Sequence, residues 1–348
     1  MDWLAGMGPP LAGAVDAALA ARIGARIDSR TKPPGSLGRI EALAEQIGRL
    51  QGSEHPVMAR CTLILIAADH GIAREGVSAF PQEVTAQMLA NFLGGGAAAN
   101  VFARVYGVGL CVVDAGIINP PAPHPALVSC RLGPGTASFL DGPAMRAEQA
   151  RAALDHGAAL AAQAEGEALA LGDMGIANTA TAAALAHKLT GLPLDALVGR
   201  GTGLDDAGLA HKHTVLTRAC ARTPTPLPPA RAMAEYGGFE INMMAGAMIG
   251  AARARRVVLV DGFIATASAA LALALAPDIR PALVFAHRSA ETGHAVLLAH
   301  MNAQPLLDLG MRLGEGTGAL MAWPILRAAA QMMSDMAGFD DAGVSGAP

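Results

Sequence analysis

Between residues 61 and 286 the chain repeats one hydrophobic pattern. A short, continuous apolar run is followed by a polar turn rich in glycine and acid, and then by a stretch of helix formers. The runs at 61–67, 109–113, 168–171, 257–260 and 282–286 are predicted strands. They end at Asp69-His70-Gly71, Asp114-Ala115-Gly116, Gly172-Asp173, Asp261-Gly262 and His287-Arg288-Ser289. Strands that are apolar on both faces, alternating with helices, predict a parallel sheet covered on each side. Ligands of such sheets bind beyond the carboxyl ends of the strands, where each of these turns sits.

Outside that repeat the pattern is helical. Leu37, Ile40, Leu43, Ala44, Ile47 and Leu50 recur at three- and four-residue steps, and Ser36 is placed to cap the helix. The proline-rich segments 119–125 and 223–229 are loops, the second between two helices. The chain turns helical again from Pro305, through 319–336, and 338–348 is expected to fray. Both chain ends, 1–58 and 303–348, are therefore expected to build a small helical domain on an α/β domain of 59–302. Residues 257–276 are apolar enough to suggest a membrane span. Asp261-Gly262 breaks the run, however, so strand, turn and helix is the better parse.

Composition narrows the function. Hydrophobic residues make up 52% of the 348 and aromatics 3%, so the core has to be aliphatic, with helices packed closely through Ala and Gly. Few aromatics and a net charge of −4 disfavour nucleic acid as a partner. The densest basic run, Arg253-Ala254-Arg255-Arg256, precedes a strand. The four cysteines form no CxxC pair and are expected to be buried free thiols of a reducing cytoplasm. Residues 1–15 lack the basic and apolar regions of a signal peptide.

The strongest chemical signal is Leu313-Gly314-Glu315-Gly316-Thr317-Gly318, one carboxylate among three glycines. Glu315 is placed either as a working base or as an acid favouring the dipole of the helix that follows. Asp173, in Leu171-Gly172-Asp173-Met174-Gly175, is either a turn residue or a second carboxylate beside an anion site. Gly175, Asn178 and Thr179 open a helix there, and free amides bind phosphate. Gly199-Arg200-Gly201-Thr202-Gly203 has GxGxG spacing, which suits one phosphate better than a dinucleotide. Lys212 is a phosphate cation or a solvated helix residue. His70, His287 and His294 lie in or near the turns, but no HExxH or cysteine pair supports a metal. GxSxG and GxxxxGK[ST] are absent, which removes the serine hydrolase and P-loop readings.

Taken in order, several segments resemble the nicotinate-nucleotide–dimethylbenzimidazole phosphoribosyltransferase family. They are Thr31-Lys32-Pro33-Pro34-Gly35-Ser36-Leu37-Gly38-Arg39, Asp69-His70-Gly71, Glu75-Gly76-Val77-Ser78, Gly199 to Asp206, Gly237-Gly238-Phe239-Glu240, Val260-Asp261-Gly262-Phe263 and the Glu315 loop. The resemblance implies a Rossmann-like parallel sheet covered by helices, with a small helical domain, assembled as a cytoplasmic homodimer without membrane attachment. It implies transfer of the 5-phosphoribosyl group of nicotinate mononucleotide to 5,6-dimethylbenzimidazole in cobalamin assembly, with no cofactor and no metal. Glu315 matches the family's general base, with Asp173 beside it as charge stabiliser. The acceptor pocket is expected from Ser78, Gln87, Met174 and Leu313. The phosphoribosyl group is expected to meet Gly175, Asn178, Thr179, Gly201, Thr202, Gly203, Lys212, Asp261 and Ser289. The chain departs from the family at Asp173 (often Glu), Ala177 (often Gly) and Arg288 (often neutral), where Arg288 is a further candidate anion contact. An NAD-dependent oxidoreductase and a non-catalytic nucleotide-binding scaffold are the alternatives.

Overall fold

The structure, a computed structural model, describes residues 3–11 and 16–345. Six parallel strands form one sheet: β1 (Cys61–Ala68), β2 (Gly109–Gly116), β3 (Leu127–Ser129), β4 (Ala168–Met174), β5 (Val257–Val260) and β6 (Leu283–Phe285). Their order is β3-β2-β1-β4-β5-β6, with all pairs parallel. This is the doubly wound order. The direction of winding reverses between β1 and β4, and the splayed connections open a crevice beyond their carboxyl ends.

The helices are α1 (Ala17–Asp28), α2 (Arg39–Gln51), α3 (Val84–Gly94), α4 (Ala98–Tyr106), α5 (Ala147–Gln163), α6 (Asn178–Thr190) and α7 (Leu194–Leu197). They continue with α8 (Asp206–Cys220), α9 (Pro229–Tyr236), α10 (Phe239–Arg253), α11 (Phe263–Leu275), α12 (Thr292–His300), α13 (Thr317–Asp335) and α14 (Phe339–Ala342). α10 packs on β1, β2, β4 and β5 and against α5 and α11, while α13 packs on β4 and β5 and against α2 and α4. Ala/Gly composition makes the α5–α10 contact possible. A Cβ at Gly157 would stand 1.9 Å from the Met243 carbonyl oxygen, and one at Gly246 would stand 2.0 Å from that of Leu154. The two helices therefore touch backbone to backbone.

The chain ends do meet. Thr31 N–H donates to Ala337 O at 3.0 Å, Phe339 N–H donates to Ser29 O at 3.2 Å, and α13 lies on α2. One continuous core nevertheless runs from Ile23 through the strands to Met333.

Three expectations are corrected. β3 is a strand the pattern did not reveal, because three half-exposed residues after a proline loop carry no periodicity. β4 continues to Met174, so Gly172 and Asp173 lie in the strand rather than in a turn. Residues 305–316 are extended, not helical. Leu306 and Leu307 N–H donate to Phe285 and Ala286 carbonyls, and Arg288 and Ala290 N–H donate back to Leu307 and Met311. Left-handed glycines at 310, 314 and 316 keep this stretch out of a helix until Thr317. Within the expected frayed tail, 339–342 is a short helix; residues 346–348, and 1–2 and 12–15 at the other end, lie outside those described.

The basic run is consumed internally. Arg256 donates to the carbonyls of Ala161, Ala164 and Glu165, Arg255 to Leu50 and Arg253 to Gly8. Residues 257–275 are strand, acidic turn and helix as expected, and no helix among the described residues is long and apolar enough to cross a membrane. All four cysteines are free; Cys61 and Cys220 are buried, Cys111 and Cys130 only partly so.

Candidate active site

Two uncapped helix starts define the site. After β4 the chain turns through Gly175-Ile176-Ala177 into α6, and after β5 through Asp261-Gly262 into α11. Neither helix has a side chain bonded to its first-turn amides. Such amides, with the partial positive charge of the helix end, attract an anion. Gly175, Ile176, Asn178 and Thr179 from one start, and Gly262, Phe263 and Ile264 from the other, line the same narrow cavity of about 90 Å³. A larger groove of about 560 Å³ lies between residues 5–8 and α5, but it contains none of the expected chemistry.

Local geometry explains the residue choices. A Cβ on Gly175 would stand 2.4 Å from Ala68 O and 3.0 Å from His70 Nε2, so only glycine fits between β1 and the anion loop. Ala177 has φ +74°, a left-handed conformation that an alanine rarely adopts. Beneath Gly175 lies a buried pair. His70 Nε2–H donates to Glu240 Oε1 at 2.7 Å, and His70 Nδ1 meets the Thr181 hydroxyl at 2.9 Å.

Of the expected residues, the cavity gathers Asp173, Met174, Gly175, Asn178, Thr179, Gly201, Thr202, Ser289 and Leu313. Ser78, Gln87, Gly203, Lys212, Asp261 and Glu315 are not part of its lining. Ser78 is half-buried and Gln87 is exposed on α3. Lys212 is buried behind the glycine loop. Its Nζ donates to Thr179 Oγ1 at 2.9 Å and to Gly199 O at 3.0 Å; burial pushes it down to about 8, and nearby Glu291 opposes this. Arg288 points away, paired with Asp308 at 2.5 Å, so it makes no contact in the cavity.

Asp261 has a supporting position. Its Oδ1 accepts from Ala319 N–H at 2.8 Å, and the Gly316 and Gly318 amides also face it. It thus caps α13, whose own N-cap residue, Gly316, has no side chain. Burial pushes this carboxyl up, against the pull of His287 and those amides.

Glu315 stands at the turn so fixed, with φ +61°. Its backbone rests on β4 at Gly172, where a Cβ would come within 2.7 Å of Glu315 C and O. The residue is 5% exposed, the Ala99 amide at the start of α4 faces its carboxylate, and Oε2 has no hydrogen-bond partner among the described residues. Burial raises its proton affinity above the ordinary glutamate value; the Ala99 amide opposes this and Asp261 adds to it. Asp173 is buried too, with Oδ2 accepting from Asn178 Nδ2 at 2.8 Å. Burial and then Asp261 and Glu240 push it well above the usual range; the Asn178 bond pulls the other way and Glu315 adds a smaller push.

The lining also takes in Ile176, Gly262, Phe263, Ile264, His287, Glu291, Arg312 and Gly314, to which the sequence assigned no binding role. Glu291 Oε1 accepts from Gly201 N–H at 3.2 Å. His294 stays behind the lining and holds the Ser289 turn. Its Nδ1 accepts from Ser289 N–H at 2.9 Å, so its Nε2–H faces Thr266 Oγ1 at 2.9 Å. Burial, helped by His287, pushes His294 down to about 3, and it is therefore neutral.

An anion seat between two helix starts, an apolar wall of Met174, Ile176, Phe263 and Leu313, and a sequestered carboxylate suit transfer of a phosphorylated sugar between flat rings. A family model described as phosphoribosyltransferase matches residues 12–344. The nicotinate-nucleotide–dimethylbenzimidazole phosphoribosyltransferase of Cupriavidus taiwanensis is 53% identical over 340 residues, covering 97% of each chain. That of Aromatoleum aromaticum is 52% identical over 94% of this chain and 96% of its own. The crystal structure of CobT from Thermus thermophilus superimposes with a TM-score of 0.92 at 44% identity, covering 95% of this chain and 100% of its own. The chain belongs to the nicotinate-nucleotide–dimethylbenzimidazole phosphoribosyltransferase family.

Proposed function

We infer that this chain transfers the 5-phosphoribosyl group of nicotinate mononucleotide to 5,6-dimethylbenzimidazole, giving α-ribazole 5′-phosphate and nicotinate for cobalamin assembly. The bond from C1′ to the pyridinium nitrogen breaks, and its electrons neutralise that nitrogen, so the leaving group needs no acid. A benzimidazole nitrogen bonds to C1′ from the opposite face, with inversion. Its partner N–H releases a proton, which Glu315 takes. One positioned base contributes roughly 10²–10⁴ in rate. Asp173 faces the positive charge that develops on the ribose, and the helix starts hold the phosphate and fix the reacting atoms in register.

One observation carries the reading: Glu315 is buried and has an unpartnered Oε2, on a turn that continues directly from the cavity-lining Leu313 and Gly314. The test is nicotinate release, followed by chromatography, from purified protein given nicotinate mononucleotide and dimethylbenzimidazole. Release that does not exceed the Glu315→Ala control rejects the reading. Nothing in the site favours the oxidoreductase alternative.

Residues 1–58 and 303–348 act in this scheme as a small helical domain that carries the base to the sheet. The working unit is a homodimer in the cytoplasm. Support for pairing comes from Val101 and Val105, exposed one turn apart on α4. Sedimentation of the purified protein tests it; a monomer at micromolar concentration removes it.

A further inference from the structure

The phosphate of the donor needs a cation, because the carboxylates of Asp173 and Glu291 both line the cavity. Lys212 is poorly placed for this role. It is 1% exposed, and its ammonium is already committed to Thr179 and Gly199. Arg312 is the other cation at hand, and it lines the cavity. Its guanidinium makes one hydrogen bond, Nη1 to Gly201 O at 3.2 Å, and no other among the described residues. That bond fixes which end of the site Arg312 serves. A Cβ on Gly201 would stand 3.0 Å from the hydroxyl of Thr179, which opens α6, so the guanidinium lies on the side of the anion-binding amides.

We propose that Arg312 is the side chain that grips the donor's 5′-phosphate, with Lys212 behind it as a strut between the glycine loop and α6. An arginine fork can bond two phosphate oxygens while one N–H keeps its carbonyl. Arg312 also stands three residues before Glu315. Phosphate binding thereby tightens the base-bearing segment against the glycine loop, coupling donor capture to placement of the base. The proposal rests on the transfer reading for the identity of the donor.

The test compares Arg312→Gln and Arg312→Lys with the parent protein. Arg312 makes a single hydrogen bond at the surface of the cavity, so neither change threatens the fold. For Arg312→Gln, KM for nicotinate mononucleotide is expected to rise about 10- to 100-fold, the loss of a charged hydrogen-bonding pair. Arg312→Lys should recover part of this. KM for dimethylbenzimidazole and binding of nicotinate riboside, which lacks the phosphate, should stay within about threefold. Inorganic phosphate should protect the parent protein against heat and protect Arg312→Gln much less. Equal weakening of mononucleotide and riboside overturns the proposal, as does undiminished phosphate protection in Arg312→Gln. If the parent protein releases no nicotinate, the transfer reading falls, while the phosphate comparison still decides the role of Arg312.

Discussion

Gly172→Ala adds one methyl group where the base-bearing turn rests on the sheet. The new Cβ would meet Glu315 C and O at 2.7 Å and Gly316 N at 2.8 Å, whereas ordinary contact begins near 3.4 Å, so something must retreat by about 0.7 Å. β4 pairs with β1 through Gly172 and beyond, and with β5 as far as Ala170, so it yields little. The helix that follows the turn is tied to Asp261 through Ala319 N–H, which limits how far the turn as a whole can move. The displacement therefore goes into Glu315. A misplacement of about 1 Å costs on the order of 10² in rate, so kcat should fall about 10- to 100-fold. Overpacking of this kind costs about 1–3 kcal/mol, which should lower Tm by a few degrees. The donor's phosphate seat lies at the starts of α6 and α11, so KM for nicotinate mononucleotide should change less than about threefold. Steady-state nicotinate release and a thermal melt measure all three quantities. A folded Gly172→Ala protein with kcat within about threefold of the parent would refute the claim that the sheet sets the base.

Three further outcomes are expected. Because burial raises Glu315 above the ordinary value of 4.5 and a base acts only when ionised, kcat/KM should fall as pH drops through a limb lying above that value; Glu315→Gln should cost roughly 10²–10⁴ in kcat and abolish the limb. Asp173→Asn keeps the shape and removes the ionisable carboxyl, so kcat should drop by about 10-fold or more with acceptor KM little changed, and parent-like turnover would reject the charge-stabilising role. His294 titrates near 3 in the fold and near 6.5 when unfolded, so below pH 6.5 the unfolded chain gains a proton that the fold refuses, and stability falls. His294→Gln should reduce the loss between pH 7 and pH 5 by about 2 kcal/mol in denaturant titrations, and an unchanged loss would place the acid sensitivity elsewhere.

The sheet was legible because five of its strands are continuous, mostly apolar runs, a signal that needs no partner to read. β3 was not, since its three residues are held by pairing with β2 rather than by their own pattern. Glu315 stood out through its glycines. The task of Asp261 did not, because it caps a helix start 58 positions away, a relation that only the fold creates. The α11 start was quoted as a turn, but the role of its backbone was not legible. Gly262, Phe263 and Ile264 face the cavity at an uncapped helix start, where backbone N–H groups are on offer whatever side chains they carry. Arg312 stands one residue before the quoted motif and carried no signal of its own. Ser78 and Gln87 came from resemblance alone, and the described cavity does not include them.

The extended segment 305–316 runs beside β6 and carries the base, yet the ribosome makes it after every strand of the sheet. A nascent chain can thus lay down the sheet and both anion-seating helix starts while it still lacks the group that accepts the acceptor's proton. Emergence of the final helices brings that group in last, together with Arg312, Leu313 and Gly314 of the cavity wall, so a stalled or truncated translation product would lack the base and the phosphate grip at once.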